Sequence, residues 1–104
     1  LRRQRVLSML AGLPAGRLLE IGCGAGALLH DIARGGFAVS GLEPSAEARE
    51  IARYINHDGS GLSIVASEQD GWQSHFDYIF ALEVLEHLAD DAAALRKWGS
   101  WLHP

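Results

Sequence analysis

The stretch Leu18-Leu19-Glu20-Ile21-Gly22-Cys23-Gly24-Ala25-Gly26 decides the fold. Two apolar residues, an acid and a third apolar residue run straight into glycines at every second position. The apolar part reads as a short strand over about Arg17–Ile21. Glycines so placed let the backbone turn tightly and let a ligand come close where a Cβ would block it. Beyond the turn, Leu28, Leu29 and Ile32 fall at helical spacing. That predicts a helix over roughly Gly26–Arg34, stopped by Gly35-Gly36. Strand, glycine turn and helix together aim backbone N–H groups and a helix N-terminus at a ligand.

Helices and strands alternate on either side of it. Before it, residues 2–11 form an amphipathic helix with Val6, Leu7 and Leu10 on one side, ended by Gly12-Leu13-Pro14-Ala15-Gly16. After it, Phe37–Leu42 is a second strand that closes at Glu43. Ser45 is a good N-cap for a helix over Ala46–Asn56, whose Ala48, Ile51, Ala52 and Ile55 would face the core. Leu62–Ala66 is a short third strand, and Ser67–Ser74 is polar and irregular. Phe76–Leu82 is almost continuously apolar, as in a strand buried on both faces. Glu83–Leu88 reads as a turn or short helical segment. Asp90 or Asp91 can cap a last helix in which Leu95, Trp98 and Leu102 share a face. Strands alternating with helices mean a parallel sheet covered on both sides, and right-handed crossovers favour the doubly wound, Rossmann-like α/β fold.

Bulk properties narrow the class. A chain of 104 residues makes one small domain, 1–104, and 48% hydrophobic content makes it globular rather than disordered. The net charge of −4 argues against a nucleic-acid-binding face spread over the domain, although Arg2, Arg3 and Arg5 cluster at the start. The single cysteine, Cys23, excludes an intrachain disulfide and points to a reducing, cytoplasmic setting. No apolar run reaches the length of a membrane span.

The glycine turn resembles motif I of the class I S-adenosylmethionine-dependent methyltransferases: an apolar pair, an acid, an apolar residue, then Gly-x-Gly-x-Gly. Leu18, Leu19, Glu20, Ile21, Gly22, Gly24 and Gly26 match it. Two later stretches agree. Glu43 closes the second strand about 20 residues beyond the glycines, where a carboxylate can accept both hydroxyls of a ribose. Phe76-Asp77-Tyr78-Ile79-Phe80-Ala81-Leu82-Glu83-Val84-Leu85-Glu86-His87-Leu88 resembles motif IV of the superfamily at every fixed position. The last residues, Leu95 to Pro104, resemble the helix before the family's Leu-x-Pro-Gly-Gly turn. The resemblance therefore covers essentially the whole chain. It implies the N-terminal half of a seven-stranded sheet, with strand order 3-2-1-4, cut after the helix that follows strand four. Strand four would then lie at an edge open to self-association.

The resemblance also implies roles. Glu20 would lie near the methionine ammonium of S-adenosylmethionine. Gly22, Cys23, Gly24 and Gly26 would line its methionine and ribose portions. Glu43 would hold the ribose hydroxyls, and Pro44 would lie against the adenine. Leu82 and Glu83 would sit at the sulfonium beside the acceptor. The chain departs from the family after strand three, where Ala66-Ser67-Glu68 stands in place of Gly-Asp-Ala. Either Ser67 or Glu68 would meet the adenine amine. His87 is the residue of suitable unperturbed pKa to act as a base, or else it packs beneath strand four. Glu83, Glu86 and His87, at i, i+3 and i+4, also make an oxygen and nitrogen set for a divalent ion. Metal-dependent ubiquinone-pathway O-methyltransferases and small-RNA 2′-O-methyltransferases share that pattern, and so do many relatives that use no metal. Cys23 lacks a base partner and reads as a small turn residue. Trp72, Trp98 and Trp101 read as packing residues.

Two alternatives share the sequence. Gly22-x-Gly24-x-x-Ala27 with Glu43 also satisfies a relaxed fingerprint of NAD(P)-dependent oxidoreductases. A methyltransferase fold that has lost activity and serves as an interaction module is the other. The acid at Glu20 and the stretch around Glu86-His87 favour methyl transfer, with a small molecule, lipid precursor or glycan as acceptor.

Overall fold

The computed structural model describes residues 2–24, 26–55, 62–81 and 91–104. The chain runs α1 (Arg2–Ala11), β1 (Arg17–Ile21), α2 (Ala27–Arg34), β2 (Ala38–Leu42), α3 (Ala46–Ile55), β3 (Ser63–Val65), β4 (Tyr78–Phe80) and α4 (Asp91–Ser100). The strands form one parallel sheet in the order β3-β2-β1-β4, as the resemblance implies. β1 lies in the interior of the sheet. Leu18 and Leu19 are wholly buried on its opposite faces.

The alternation of β1 builds two cores. Leu18 packs with Val6 and Leu10 of α1, Leu29 and Ile32 of α2, and Phe37 and Val39 around β2. Leu19 and Ile21 face Trp72, Phe76 and Trp101 on the other side. There Trp72 meets Phe76 and Trp101 edge to face, with ring centroids 5.4 and 5.0 Å apart. Trp72 and Trp101 are thus packing residues, and Trp98 lies partly buried against them.

Three expectations need correction. In α3 only Ala52 is fully buried, while Ile51 and Ile55 are 48% and 41% exposed. The helix lies against β3, the narrow edge of the sheet, so Ala52 faces the strand and its larger neighbours flank it on the surface. β4 is shorter than the apolar run Phe76–Leu82, and its residues are half-buried. Leu102 lies beyond α4, and it bridges in parallel to Phe76. The Phe76 N–H donates to the Trp101 carbonyl at 2.8 Å, and the His103 N–H donates to the Phe76 carbonyl at 2.6 Å. The start of the β4 edge is therefore covered. Further along, Ile79 and Ala81 line an apolar cleft of about 290 Å³ with Leu95, Trp98, Gly99 and Leu102. No described helix is long and apolar enough to cross a membrane.

Candidate functional site

The C-terminal ends of β1 and β2 meet where the glycine turn leaves the sheet. Gly22, Gly24 and Gly26 have φ of 71°, 57° and 79°, the left-handed region that side chains disfavour. The turn is tied to its neighbour strand: the Gly22 N–H donates to the Leu42 carbonyl at 2.7 Å. The Gly26 N–H closes the turn on the Cys23 carbonyl at 3.0 Å, and α2 starts there.

Glu43 clamps this end of the sheet. One carboxylate oxygen accepts the Gly24 N–H at 2.8 Å, and the other accepts the Ser45 N–H at 3.0 Å. Its carboxylate therefore links the glycine turn to the approach to α3. The Ser45 hydroxyl caps that helix by accepting the Ala48 N–H at 3.2 Å. Arg49 reaches back from α3 and donates to the carbonyls of Glu43 and Pro44 at 2.9 and 2.8 Å. With one such bond to each oxygen among the described residues, the Glu43 carboxylate has acceptor capacity for a further donor.

Glu20 is the anomaly of the site. It ends 6% exposed inside the sheet, and its Oε1 has no hydrogen-bond partner among the described residues. Burial, and secondarily the charge of Glu43, push its carboxyl up to about 7. Burial likewise pushes the Cys23 thiol up to about 12, with the charges of Glu20 and Glu43 adding to it. The thiol is thus protonated at neutral pH, which fits a turn residue rather than a nucleophile. An unpaired buried carboxylate oxygen is expensive and rare.

Other expected residues fall as follows. Pro44 is exposed beside Glu43. Ser67 and Glu68 follow β3 on the surface, and the Glu68 carboxylate pairs with Lys97 of α4 at 2.6 Å. Ser67 uses its carbonyl to accept the Gln69 side-chain amide at 2.8 Å. Leu82, Glu83, Glu86 and His87 lie outside the described residues, so the base and metal readings that rest on them stay where sequence leaves them. Among the described residues no group of three potential ligands could hold a metal ion.

Two site residues escape the sequence reading. A Cβ on Gly41 would stand 2.6 Å from Cys23 Sγ and 2.8 Å from Leu29 Cδ1. Only a bare backbone there lets the turn and α2 seat against β2. Glycine inside a strand is the available signal for such a close approach. Arg49 had no signal, because an exposed helix arginine looks like any solvated charge.

Comparison with known proteins places this arrangement. Residues 2–104 match the methyltransferase domain family. The chain is 37% identical to a ubiquinone biosynthesis O-methyltransferase of Rhodopseudomonas palustris, over 99% of this chain and 41% of that one. It is 39% identical to one from Nitrobacter winogradskyi, over 99% of this chain and 40% of that one. It thus spans about two fifths of the length of these relatives. An S-adenosylmethionine-dependent methyltransferase from Mesorhizobium loti superposes with a TM-score of 0.78 at 27% identity, covering 94% of this chain and 48% of that structure. These matches decide between the methyltransferase and the NAD(P) readings of the glycine turn: the chain belongs to the methyltransferase domain family.

Proposed function

We propose that the protein binds S-adenosylmethionine across the ends of β1 and β2 and transfers its methyl group to a hydroxyl of a small molecule. The observation that carries this reading is the buried Oε1 of Glu20, which no described residue partners, at the mouth of the glycine turn. S-adenosylmethionine offers an ammonium, a ribose diol and an adenine. Glu20 supplies an anion for the first, and Glu43 supplies acceptor oxygens for the second. Pro44 and Ser67 or Glu68 are the candidates for the third. The sulfonium supplies the reactive methyl. The chain's own task is to hold the donor in line with the acceptor and to keep water out. The hydroxyl acceptor is suggested by the relatives named ubiquinone biosynthesis O-methyltransferases. His87 or Glu83 would take the acceptor's proton. In the metal reading, Glu83, Glu86 and His87 would hold a divalent ion that lowers the pKa of the hydroxyl. Chelation would then abolish turnover and leave donor binding intact, whereas turnover that survives chelation removes the ion from the reaction.

Calorimetry on the full-length protein tests the donor site. Wild type should bind S-adenosylmethionine, and Glu43→Ala should weaken binding by about 1.5–3 kcal/mol, the range for hydrogen bonds to a charged group. Unchanged affinity in a folded Glu43→Ala protein would remove Glu43 from the site. A folded wild-type protein that binds neither the donor nor S-adenosylhomocysteine would be an interaction module instead.

A further inference from the structure

Glu20 has no strand neighbour that can answer its charge. In register it stands beside Gly41 of β2 and Phe80 of β4, neither of which is ionisable. Its face of the sheet is the one covered by the turn, α1 and α2: a Cβ on its partner Gly41 would point at Cys23 and Leu29, and Leu18, two residues back on the same face, packs with Val6 and Leu10 of α1. Of the ionisable groups on the elements at that face, Arg5 of α1 is exposed, the Tyr78 hydroxyl donates to the Pro14 carbonyl, and Arg53 of α3 pairs with Glu50. The turn brings Cys23, whose thiol is neutral. The end of β2 brings Glu43, whose carboxylate repels a second negative charge. α2 carries His30 and Asp31, which have contacts of their own, and Arg34, which is exposed at its last turn. Arg49, the guanidinium nearest to Glu43 in the chain, is spent on the carbonyls of Glu43 and Pro44. Nothing described hydrogen-bonds Oε1 of Glu20.

A buried carboxylate in that position has two ways to avoid an uncompensated charge. It can take a proton, or it can take a cation. We propose that Glu20 does each in turn: it holds a proton while the site is empty and releases it to solvent when the cationic group of the ligand arrives. The carboxylic O–H bond breaks, the proton goes to buffer, and the ligand's ammonium replaces the charge it carried. The inference rests on the donor reading above and adds to it a proton count. A carboxyl pushed up to about 7 is protonated in about half of the empty sites at neutral pH. Ligand binding should therefore release about half a proton near pH 7, approach one near pH 6 and fall towards none above pH 8. Protons and ligand compete, so affinity should drop about tenfold for each pH unit well below 7.

The test is calorimetry of the full-length protein with S-adenosylhomocysteine, run in pairs of buffers with low and high heats of ionisation. The observed heat should differ between buffers by the fraction of a proton released, with the pH dependence just given. Glu20→Gln should bind more weakly and give the same heat in both buffers. Wild type with 5′-methylthioadenosine, a related nucleoside without the ammonium, should bind without proton release, and this arm does not depend on how the variant folds. Buffer-independent heats for wild-type S-adenosylhomocysteine binding would overturn the proton exchange while leaving the donor site standing. Equal proton release by the two nucleosides, or undiminished release in Glu20→Gln, would overturn it as well. Absence of any binding by wild type would instead sink the donor site itself, and the exchange with it.

Discussion

The two ends of β1 hold carboxylates of opposite character. At the C-terminal end, Glu20 is buried and one of its oxygens has no partner among the described residues. At the N-terminal end, Asp77 is exposed and answered: its Oδ2 accepts the Arg17 N–H at 2.9 Å while its own N–H donates to the Arg17 carbonyl at 2.8 Å. Around Asp77 the polar groups go on pairing. The Tyr78 hydroxyl donates to the Pro14 carbonyl at 2.7 Å, closing the loop before β1. Both acids belong to the stretches that carry the family resemblance. Their surroundings separate them, since one is buried with bonding capacity that no described residue meets and the other holds the sheet's start together. On the function proposed above, the unmet capacity is what a ligand would answer, and the met capacity belongs to the scaffold.

The largest expected effect tests the buried end. The folded carboxyl of Glu20 lies near 7, above the 4.5 of an unperturbed one, so the native state binds more protons than the unfolded state between those values. Without ligand, its contribution to stability should be full below about pH 4.5 and be lost as pH rises through 7. The shift sets an upper bound of about 3 kcal/mol on that loss. Denaturant unfolding of wild type and Glu20→Gln at several pH values isolates it: wild type should lose stability relative to the variant as pH rises from about 4.5 through 7. A gap that stays constant with pH would place Glu20 in a better-answered environment than its burial indicates.

Next comes the seat of the turn. Gly41→Val should cost about 1–3 kcal/mol, the usual range for overpacking, because Cys23, Leu29 and Ile64 already occupy the space around it. Ligand affinity should fall with it, since the turn can no longer rest on β2. Adding Cys23→Ala removes the nearest obstruction and should recover part of both losses. No recovery in the double variant would mean that Leu29, not the turn, absorbs the strain.

This contrast is partly legible in the sequence. The alternation of Leu18, Leu19, Glu20 and Ile21, the three glycines and the acid at 43 are local patterns, and local patterns specify strand, turn and order well. The sheet order 3-2-1-4 is what the family resemblance implies. What could not be read were facts of distance between separated residues. Nothing in the chain says that Arg49 braces the Glu43 carbonyl, that Glu68 meets Lys97, or that Leu102 lies alongside Phe76. The buried face expected of α3 erred for a related reason: helical periodicity names a stripe, but the width of the sheet beneath decides how much of it is covered. For Ile51 and Ile55 the sheet ends too soon.

The smallest expected effect tests the other end of β1. A Cβ on Gly16 would come within 2.6 Å of Asp77 Oδ2, so the carboxylate lies directly over a bare backbone. Asp77→Ala removes one hydrogen bond to an exposed backbone N–H, worth about 0.5–1.5 kcal/mol, and should leave ligand affinity untouched. Gly16→Ala alone should also destabilise, because the new methyl displaces the carboxylate from the Arg17 N–H. With Asp77 already truncated, that methyl meets no carboxylate. The two substitutions should therefore be sub-additive by about 0.5–1 kcal/mol in a double-mutant cycle read by thermal or denaturant unfolding. Full additivity would mean that the carboxylate swings clear into solvent without loss. Weakened ligand binding in Asp77→Ala would erase the division between the two ends, because the N-terminal acid would then share in the work of the site.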